Sequence, residues 1–312
     1  MSGLQIEKST PLCLLQDGGR FGARHLGVTQ GGAADWVSMS WANWLLGNSV
    51  DAAVVEIALG GFSVVSQGDC VLALAGADLG AHIEGRPLLP WRAFTVRKGE
   101  RLSFNGAQGN SDSPSGVRAY LAAPGGFAAD SVLGSRSTVA RDAMGGLRGQ
   151  GQALANGEVL NAAGLSAVTT RELPAALVPR FTSRPVLDVV IGAQMAAFSG
   201  QSLFDAFNSD WQVDARADRM GVRLLGPVLE YQGAPMISEG ISLGSIQVPP
   251  DGQPIVLGND RQTIGGYPRL GALTPLASAR LAQCMPGESL RFRPNVADSA
   301  RAEQVRFMAR FG

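Results

Sequence analysis

A mainly β protein, built from barrels with a few helices, is predicted by three features of the sequence. Its 312 residues include 41 Gly and 17 Pro, and they break into many short apolar runs bounded by turn residues. Strand and helix patterns do not alternate along the chain, which argues against a doubly wound parallel sheet. Hydrophobic residues reach 45 % and charged residues only 17 %, far from the low hydrophobicity and high charge of a disordered chain. That length and apolar content suit one large domain or two ordinary ones.

The elements follow in order. Runs of Val, Leu, Ile and Phe flanked by Gly, Pro, Asp or Asn predict strands at 12–15, 54–59, 70–75, 93–96, 117–122, 186–191, 254–257 and 289–293. Three helices interrupt them. The first starts from Asp35 as N-cap, lines up Val37, Trp41 and Leu45 with Trp44 beside them, and stops at Gly47. The second has Thr274 as N-cap and Pro275 at the first helical position, and is expected to bury Ala277, Leu281 and Cys284 or Met285. The third follows Asp298 and aligns Ala302, Val305 and Met308 or Ala309.

Two segments resemble each other. The stretch Arg20-Phe-Gly22-Ala-Arg24-His25-Leu26-Gly27 matches Arg219-Met-Gly221-Val-Arg223-Leu-Leu225-Gly226 at five of eight positions, 199 residues apart. Each precedes an apolar strand that runs into Gly-x-Asp, at Gly76–Asp78 and at Gly258–Asp260. Chance is one explanation. The other is a pair of related lobes, 1–182 and 183–312, joined by the Ala- and Pro-containing stretch 162–183. On the second, Arg20 and Arg24 should approach Arg219 and Arg223 across a cleft. Asp78, Glu239 and Asp260, together with an anionic ligand, would then offset the four positive charges.

Charge excludes some functions. Lys plus Arg equals Asp plus Glu at 26 each, so no overall field draws the chain to nucleic acid or an anionic membrane. Only Lys8 and Lys98 are lysines, leaving 24 arginines. That bias reflects either a GC-rich genome or the use of Arg for carboxylate and phosphate groups. Cys13, Cys70 and Cys284 form no C-x-x-C pair and read as small hydrophobes in a reducing compartment. With no basic start before a long apolar stretch and no 18-residue apolar run, a cytoplasmic protein is expected.

Several motifs fail. Gly240-Ile-Ser242-Leu-Gly244 has the nucleophile-elbow pattern, but His25 and His82 both precede the serine, whereas the hydrolase order puts the histidine after it. A P-loop needs Gly-Lys, which neither lysine supplies. No His/Cys cluster offers a metal site. Neither lysine sits between methionines, so this chain is expected to carry no biotin of its own.

What remains is a set of polar residues in Gly-rich, apolar surroundings. One contains Arg20, Arg24 and His25; another is Ser135-Arg136-Ser137-Thr138. A third runs from Ser238-Glu239-Gly240 through Gln247-Val-Pro249-Pro250-Asp251-Gly252 to Asp260-Arg261-Gln262-Thr263 and Gly265-Gly266-Tyr267-Pro268. Asp-Arg-Gln-Thr at the end of a buried strand would put four hydrogen-bonding groups at a barrel mouth, where ligand sites collect. An Asp260–Arg261 ion pair closing the barrel is the competing reading. His25 is equally a structural or a proton-transferring histidine, and Arg136 equally a carbonyl cap or an anion binder.

These same motifs, from Gln16-Asp17-Gly-Gly-Arg20 to Gly266-Tyr267-Pro268, resemble the KipA-like family, which comprises the C component of 5-oxoprolinase and the second subunit of allophanate hydrolase and is related to biotin-dependent carboxyltransferases. The resemblance spans roughly residues 4–310; Gly31-Gly32-Ala33-Ala34-Asp35 and an insert-like stretch at 110–115 depart from the family pattern. It implies a cyclophilin-like β-barrel. It also implies one component of an ATP-dependent 5-oxoprolinase that opens 5-oxo-L-proline to L-glutamate with a KipI-like B component and a LamB/YcsF-like A component, and is inactive alone. One alternative is the carboxyltransferase component of a biotin-dependent, urea carboxylase-like system. Another is a regulatory protein that binds KipI.

Together, motif and resemblance nominate His25, Asp78, Glu239, Asp260 and Arg261 as catalytic. They nominate Arg20, Arg24, Ser135, Arg136, Arg219, Arg223, Gln247, Gln262 and Tyr267 as substrate-binding. ATP is expected to be used by the complex, and no metal, nucleic acid or membrane is expected to take part.

Overall fold

The computed structural model describes residues 3–108, 116–164 and 170–312. The insert-like stretch at 110–115 and positions 165–169 of the expected linker lie outside the described residues. The chain forms two compact units, Met1–Ala23 with Gln30–Phe181 and Arg24–Thr29 with Thr182–Gly312. The short segment carrying Arg24 and His25 therefore belongs to the second unit, while Arg20 belongs to the first.

The first unit is built on two sheets. One has six strands in the order Val159–Leu160, Leu4–Lys8, Phe62–Ser66, Arg101–Phe104, Ala81–Ile83 and Arg86–Pro87. The other has five, in the order Cys13–Gln16, Val54–Ala58, Arg118–Ala122, Cys70–Gly76 and Arg92–Val96. Their pairs are antiparallel, and their apolar faces meet in a core that includes Ile6, Leu15, Val55, Phe62, Leu74 and Phe104. Helix α1, Trp36–Leu45, lies against strands Cys70–Gly76 and Arg118–Ala122 and is buried on nearly every face.

Asp35 caps α1 as expected, accepting from the Ser38 amide at 3.1 Å. Its own amide donates to the Tyr120 hydroxyl at 2.7 Å, which donates to Glu56 Oε2 at 2.9 Å. Burial pushes the Tyr120 hydroxyl well above its ordinary pKa, with the Glu56 charge adding to it, so it stays a donor. Asp35→Ala is expected to lower stability by about 1–2 kcal/mol, the usual range for a lost N-cap; chemical denaturation with an unchanged midpoint would show that the cap is not needed.

The second unit is a closed barrel. Its strands run Val186–Ile191, Arg269–Leu273, Ser245–Gln247, Ile255–Leu257, Gly221–Leu225, Trp211–Val213 and Ser289–Asn295, and parallel pairing of the last with the first closes the ring. Closure removes the exposed edges that an open sheet would present. Leu187, Val189, Trp211, Ile246, Leu290 and Phe292 fill the interior. The Trp211 indole donates to the Ala206 carbonyl at 3.0 Å, and Gly226 leaves room for its ring. A Cβ at position 226 would stand 2.6 Å from indole Cε3, so Gly226→Ala is expected to cost about 1–3 kcal/mol through overpacking. A melting temperature equal to the parent would refute that.

Four α-helices occur among the described residues, one more than predicted. The additional helix, α2, is Gly200–Asn208, capped by Ser199, which accepts from the Ser202 amide. Its weak start, Gly-Gln-Ser, hides it from propensity, and packing against strand Ser289–Asn295 supplies what local preference lacks. Helix α3, Pro275–Leu281, follows the Thr274 cap and buries Ala277, Ala279 and Leu281, while Cys284 falls beyond its end. Helix α4, Ala297–Met308, starts before the expected Asp298 and buries Ala300 and Phe307, not the predicted Val305 stripe. Ala300 and Phe307 are two turns apart and so share a face; Val305 points outward.

The matched Arg segments are not equivalent elements. Residues Arg24–Leu26 form a 3-10 turn between Gly22 and Gly27, both at positive φ, whereas Gly221–Leu225 is a barrel strand. Identical Arg-x-Gly-x-Arg spacing thus projects side chains differently in the two places, and the match does not mark a structural repeat there.

Candidate functional site

Within the second unit, a two-stranded ribbon pairs Glu239–Gly240 with Ile264–Gly265. Beside it, the Ile241 amide donates to the Thr263 carbonyl at 3.0 Å. The Arg24–Leu26 turn brings Arg24 onto this ribbon, where Nη2 donates to the carbonyl of Ile241 and, at 3.2 Å, to that of Thr263. Arg261 meets the same backbone. It is 2 % exposed and donates through Nε to the same Ile241 carbonyl at 3.4 Å and through Nη1 to the Gly258 carbonyl at 3.2 Å. Two guanidinium groups thus converge on one backbone oxygen. Arg24 borders a cleft of about 530 Å³, lined also by His25, Gly240, Ile241, Ser242 and Thr263, with Gly27 and Ile264.

The electrostatics there favour an anion. Burial lowers the Arg24 pKa, and burial with the neighbouring Arg24 charge pushes Arg261 down to about 9. Arg24 Nη1 is buried and has no acceptor among the described residues. Gln247, 2 % exposed, likewise has a buried side-chain nitrogen without an acceptor, and a Cβ at Gly265 would stand 2.8 Å from that nitrogen. Carboxylate or phosphate oxygens would meet the Arg24 donor and relieve the repulsion between the two cations. Binding of inorganic phosphate is expected to hold below pH 9 and to weaken as the pH rises through 9, where Arg261 gives up its proton. Stability should move the other way. In the unfolded chain Arg261 keeps its proton to higher pH, so the cost of its buried charge is present below about pH 9 and fades above it. Calorimetric titrations on either side of pH 9 would check the sign; equal affinities would refute it.

The structure distributes the other nominated residues as follows. Asp260 is held by Arg219 in a bidentate, largely buried pair, Nε–Oδ2 at 2.9 Å and Nη2–Oδ1 at 3.1 Å. Its carboxylate is thus paired with Arg219, 41 residues upstream, where the sequence suggested the adjacent Arg261. Arg223 is paired with Asp251 at 2.7 Å, and Glu239 with Arg269, which also donates to the Gly240 carbonyl at 3.0 Å. Gln262 is half-buried and Tyr267 exposed. His25 is exposed on the cleft.

In the first unit, Asp78 follows strand Cys70–Gly76 and accepts from the Gly80 amide at 3.0 Å. Arg20 is fully buried and donates to the Val132 carbonyl at 2.8 Å and the Ser137 carbonyl at 3.3 Å. Ser135 donates to Asp17 at 2.7 Å, and Arg136 caps the Ala129 carbonyl through Nε at 2.8 Å.

Ser242 lies on the same cleft as His25, although it follows both histidines in sequence. Chain order does not decide a triad; geometry does. The Ser242 hydroxyl is engaged by Ser245 at 2.9 Å, and among the described residues no carboxylate orients His25. No triad is assembled. The carbonyls of Ile241 and Thr263 are site groups that sequence reading did not find, since backbone acceptors leave no trace in residue type. Among the described residues, no group of His, Cys, Asp and Glu could hold a metal ion, and no helix is long and apolar enough to cross a membrane.

Residues 26–294 match the carboxyltransferase domain family, subdomains A and B. The chain is 33 % identical to the 5-oxoprolinase C component of Haemophilus influenzae over 279 residues, covering 89 % of this chain and 86 % of that one. It is 33 % identical to the 5-oxoprolinase C component of Escherichia coli over 290 residues, covering 93 % and 90 %. Among solved structures it is similar to the urea amidolyase of Kluyveromyces lactis, with TM-score 0.89 and 25 % identity, over 99 % of this chain and 20 % of that one.

Proposed function

The chain belongs to the carboxyltransferase domain family, subdomains A and B, and from that membership we propose that it is the C component of an ATP-dependent 5-oxoprolinase. Its partners would be a KipI-like B component and a LamB/YcsF-like A component, and the reaction would open 5-oxo-L-proline to L-glutamate. The observation that carries this reading is the 33 % identity to two 5-oxoprolinase C components over most of both chains. The cleft chemistry agrees with it. 5-Oxoproline is an anion, which suits the positive charge around Arg24, and the buried Gln247 amide lies beside the same ribbon.

Opening the lactam adds water across the ring C–N bond, leaving a second carboxylate on the carbonyl carbon and an amine on the nitrogen. The departing nitrogen needs a proton, and His25, which lines the cleft, would deliver one. The developing negative charge on the carbonyl oxygen needs donors, the role of Arg24 on the cleft. ATP use belongs to the assembled complex.

Two outcomes test the reading. Co-expression with both partners should give a heteromeric complex on size-exclusion chromatography, and a chain that elutes alone in their presence would refute the assembly. The reconstituted mixture with ATP should form glutamate, and the chain alone should not. Glutamate formation unchanged when this chain is left out would remove it from the reaction. The similarity to a urea amidolyase supports a second reading, carboxyl transfer. Carboxylation dependent on an added biotin carboxylase and biotin carrier, with no glutamate formed, would favour that one. Complex formation with neither activity would favour a regulatory KipI-binding role.

A further inference from the structure

The first unit holds a separate cavity of about 420 Å³, whose lining includes Phe21, Ser49, Asp51, Leu133, Gly134 and Arg136. Its wall is organised by Asp17, which is buried and accepts from the Gly19 amide, the Ser135 hydroxyl, the Arg136 amide and the Ser137 hydroxyl. That carboxylate is spent on the loop. Two other charges on the cavity are not spent. Arg136 uses only Nε, on the Ala129 carbonyl, and its two terminal nitrogens have no acceptor among the described residues. Asp51 accepts from the neighbouring Ser49 hydroxyl and, among the described residues, makes no ion pair. Opposite charges line one cavity without closing on each other or on another charged side chain.

The rim is apolar. Phe21 is 73 % exposed and Leu133 52 % exposed, and Leu133 is held at φ 52°, left-handed backbone that a branched side chain rarely adopts. The Asp17 bonds to Ser135 and Arg136 hold this turn in place and keep Leu133 turned outward at the mouth, a strain that persists only where the surroundings over-determine it.

The geometry points to a binding site for a free α-amino acid with an apolar side chain. Its carboxylate would take the two terminal nitrogens of Arg136 as a fork, its ammonium would donate to Asp51, and its side chain would cover Phe21 and Leu133. A lone anion or cation would meet one half-solvated charge, an interaction worth little. A zwitterion engages both charges after a single loss of translational freedom. This inference stands apart from the proposed reaction, because the cavity lies in a different unit from the Arg24 cleft.

Isothermal titration calorimetry on the full chain tests it with L-leucine as probe. The controls are 4-methylpentanoate, which keeps the carboxylate and side chain, and 3-methylbutylamine, which keeps the amine and side chain. L-Leucine should bind, each control at least about tenfold more weakly, since each forfeits a charge-assisted contact. Arg136→Gln and Asp51→Asn should each weaken L-leucine by a similar factor. Asp51 is exposed, so its variant should fold even if Arg136→Gln does not, and melting curves would establish this for both. No binding of L-leucine, equal binding of either control, or unchanged affinity in Asp51→Asn would overturn the assignment.

Discussion

Arg24→Ala should cut glutamate formation by the reconstituted complex at least about tenfold, since removing one donor aimed at transition-state charge commonly costs that much or more. Arg24 is the better target of the arginine pair. Arg261, nominated from sequence as catalytic, is buried and ties the carbonyls of Gly258 and Ile241 together. Its removal would therefore also destabilise the barrel end. Arg24 is partly exposed on the cleft, and water can replace its bonds to Ile241 and Thr263. Arg24→Lys separates charge from geometry. A lysine keeps the positive charge but loses the planar fork, so it should recover only part of the rate. Initial rates across a range of 5-oxoproline concentrations would show whether KM or kcat carries the loss. Full activity in Arg24→Ala, with complex assembly intact, would rule out the cleft as the site of chemistry while leaving the family membership untouched.

Asp17→Ala should be the most destabilising single change among those considered for the first unit, by about 3 kcal/mol or more. The carboxylate is 7 % exposed and meets donors at 2.9 Å from Gly19, 2.7 Å from Ser135, 2.6 Å from Arg136 and 2.5 Å from Ser137. Hydrogen bonds to a charged group are worth roughly 1.5–3 kcal/mol each, and buried donors left without an acceptor add their own desolvation cost. Rehydration of the loop returns part of the sum. With roughly 2–4 °C of melting temperature per kcal/mol for a domain of this size, a fall of about 6–12 °C is expected. Asp17→Asn should lie between alanine and the parent, because one oxygen still accepts while the new amide opposes a donor. A drop of less than about 2 °C in the alanine variant would mean that the loop satisfies its donors elsewhere.

Much of this architecture was legible in the residues. The Asp35 and Thr274 caps, Pro275 at the first helical position, and the strand at Val186–Ile191 all stand where local chemistry puts them. These features depend on neighbours within a few positions, and the residue types that satisfy them are few. The short barrel strands Ser245–Gln247 and Trp211–Val213 are another matter. Each is three residues long, too brief for a period to register, and each needs a more distant strand on its other side, Arg269–Leu273 for the first and Ser289–Asn295 for the second.

The site divides along the same line. Residue types were enough to nominate Arg24, His25, Gln247 and Arg261, because charged and amide side chains in Gly-rich apolar surroundings demand a reason; the family was legible only through the resemblance of the longer motifs. Partners were decided only in three dimensions. Asp260 went to Arg219, Glu239 to Arg269 and Arg223 to Asp251, since an ion pair depends on which side chains the barrel brings within a few ångströms and not on adjacency along the chain. Arg20 and Arg24, four residues apart, ended in different units with opposite duties, one buried on carbonyls and one on a cleft. The sequence by itself determined which groups would need compensation; the tertiary structure decided what compensates each, because burial sets the cost of a charge and only the fold sets its burial.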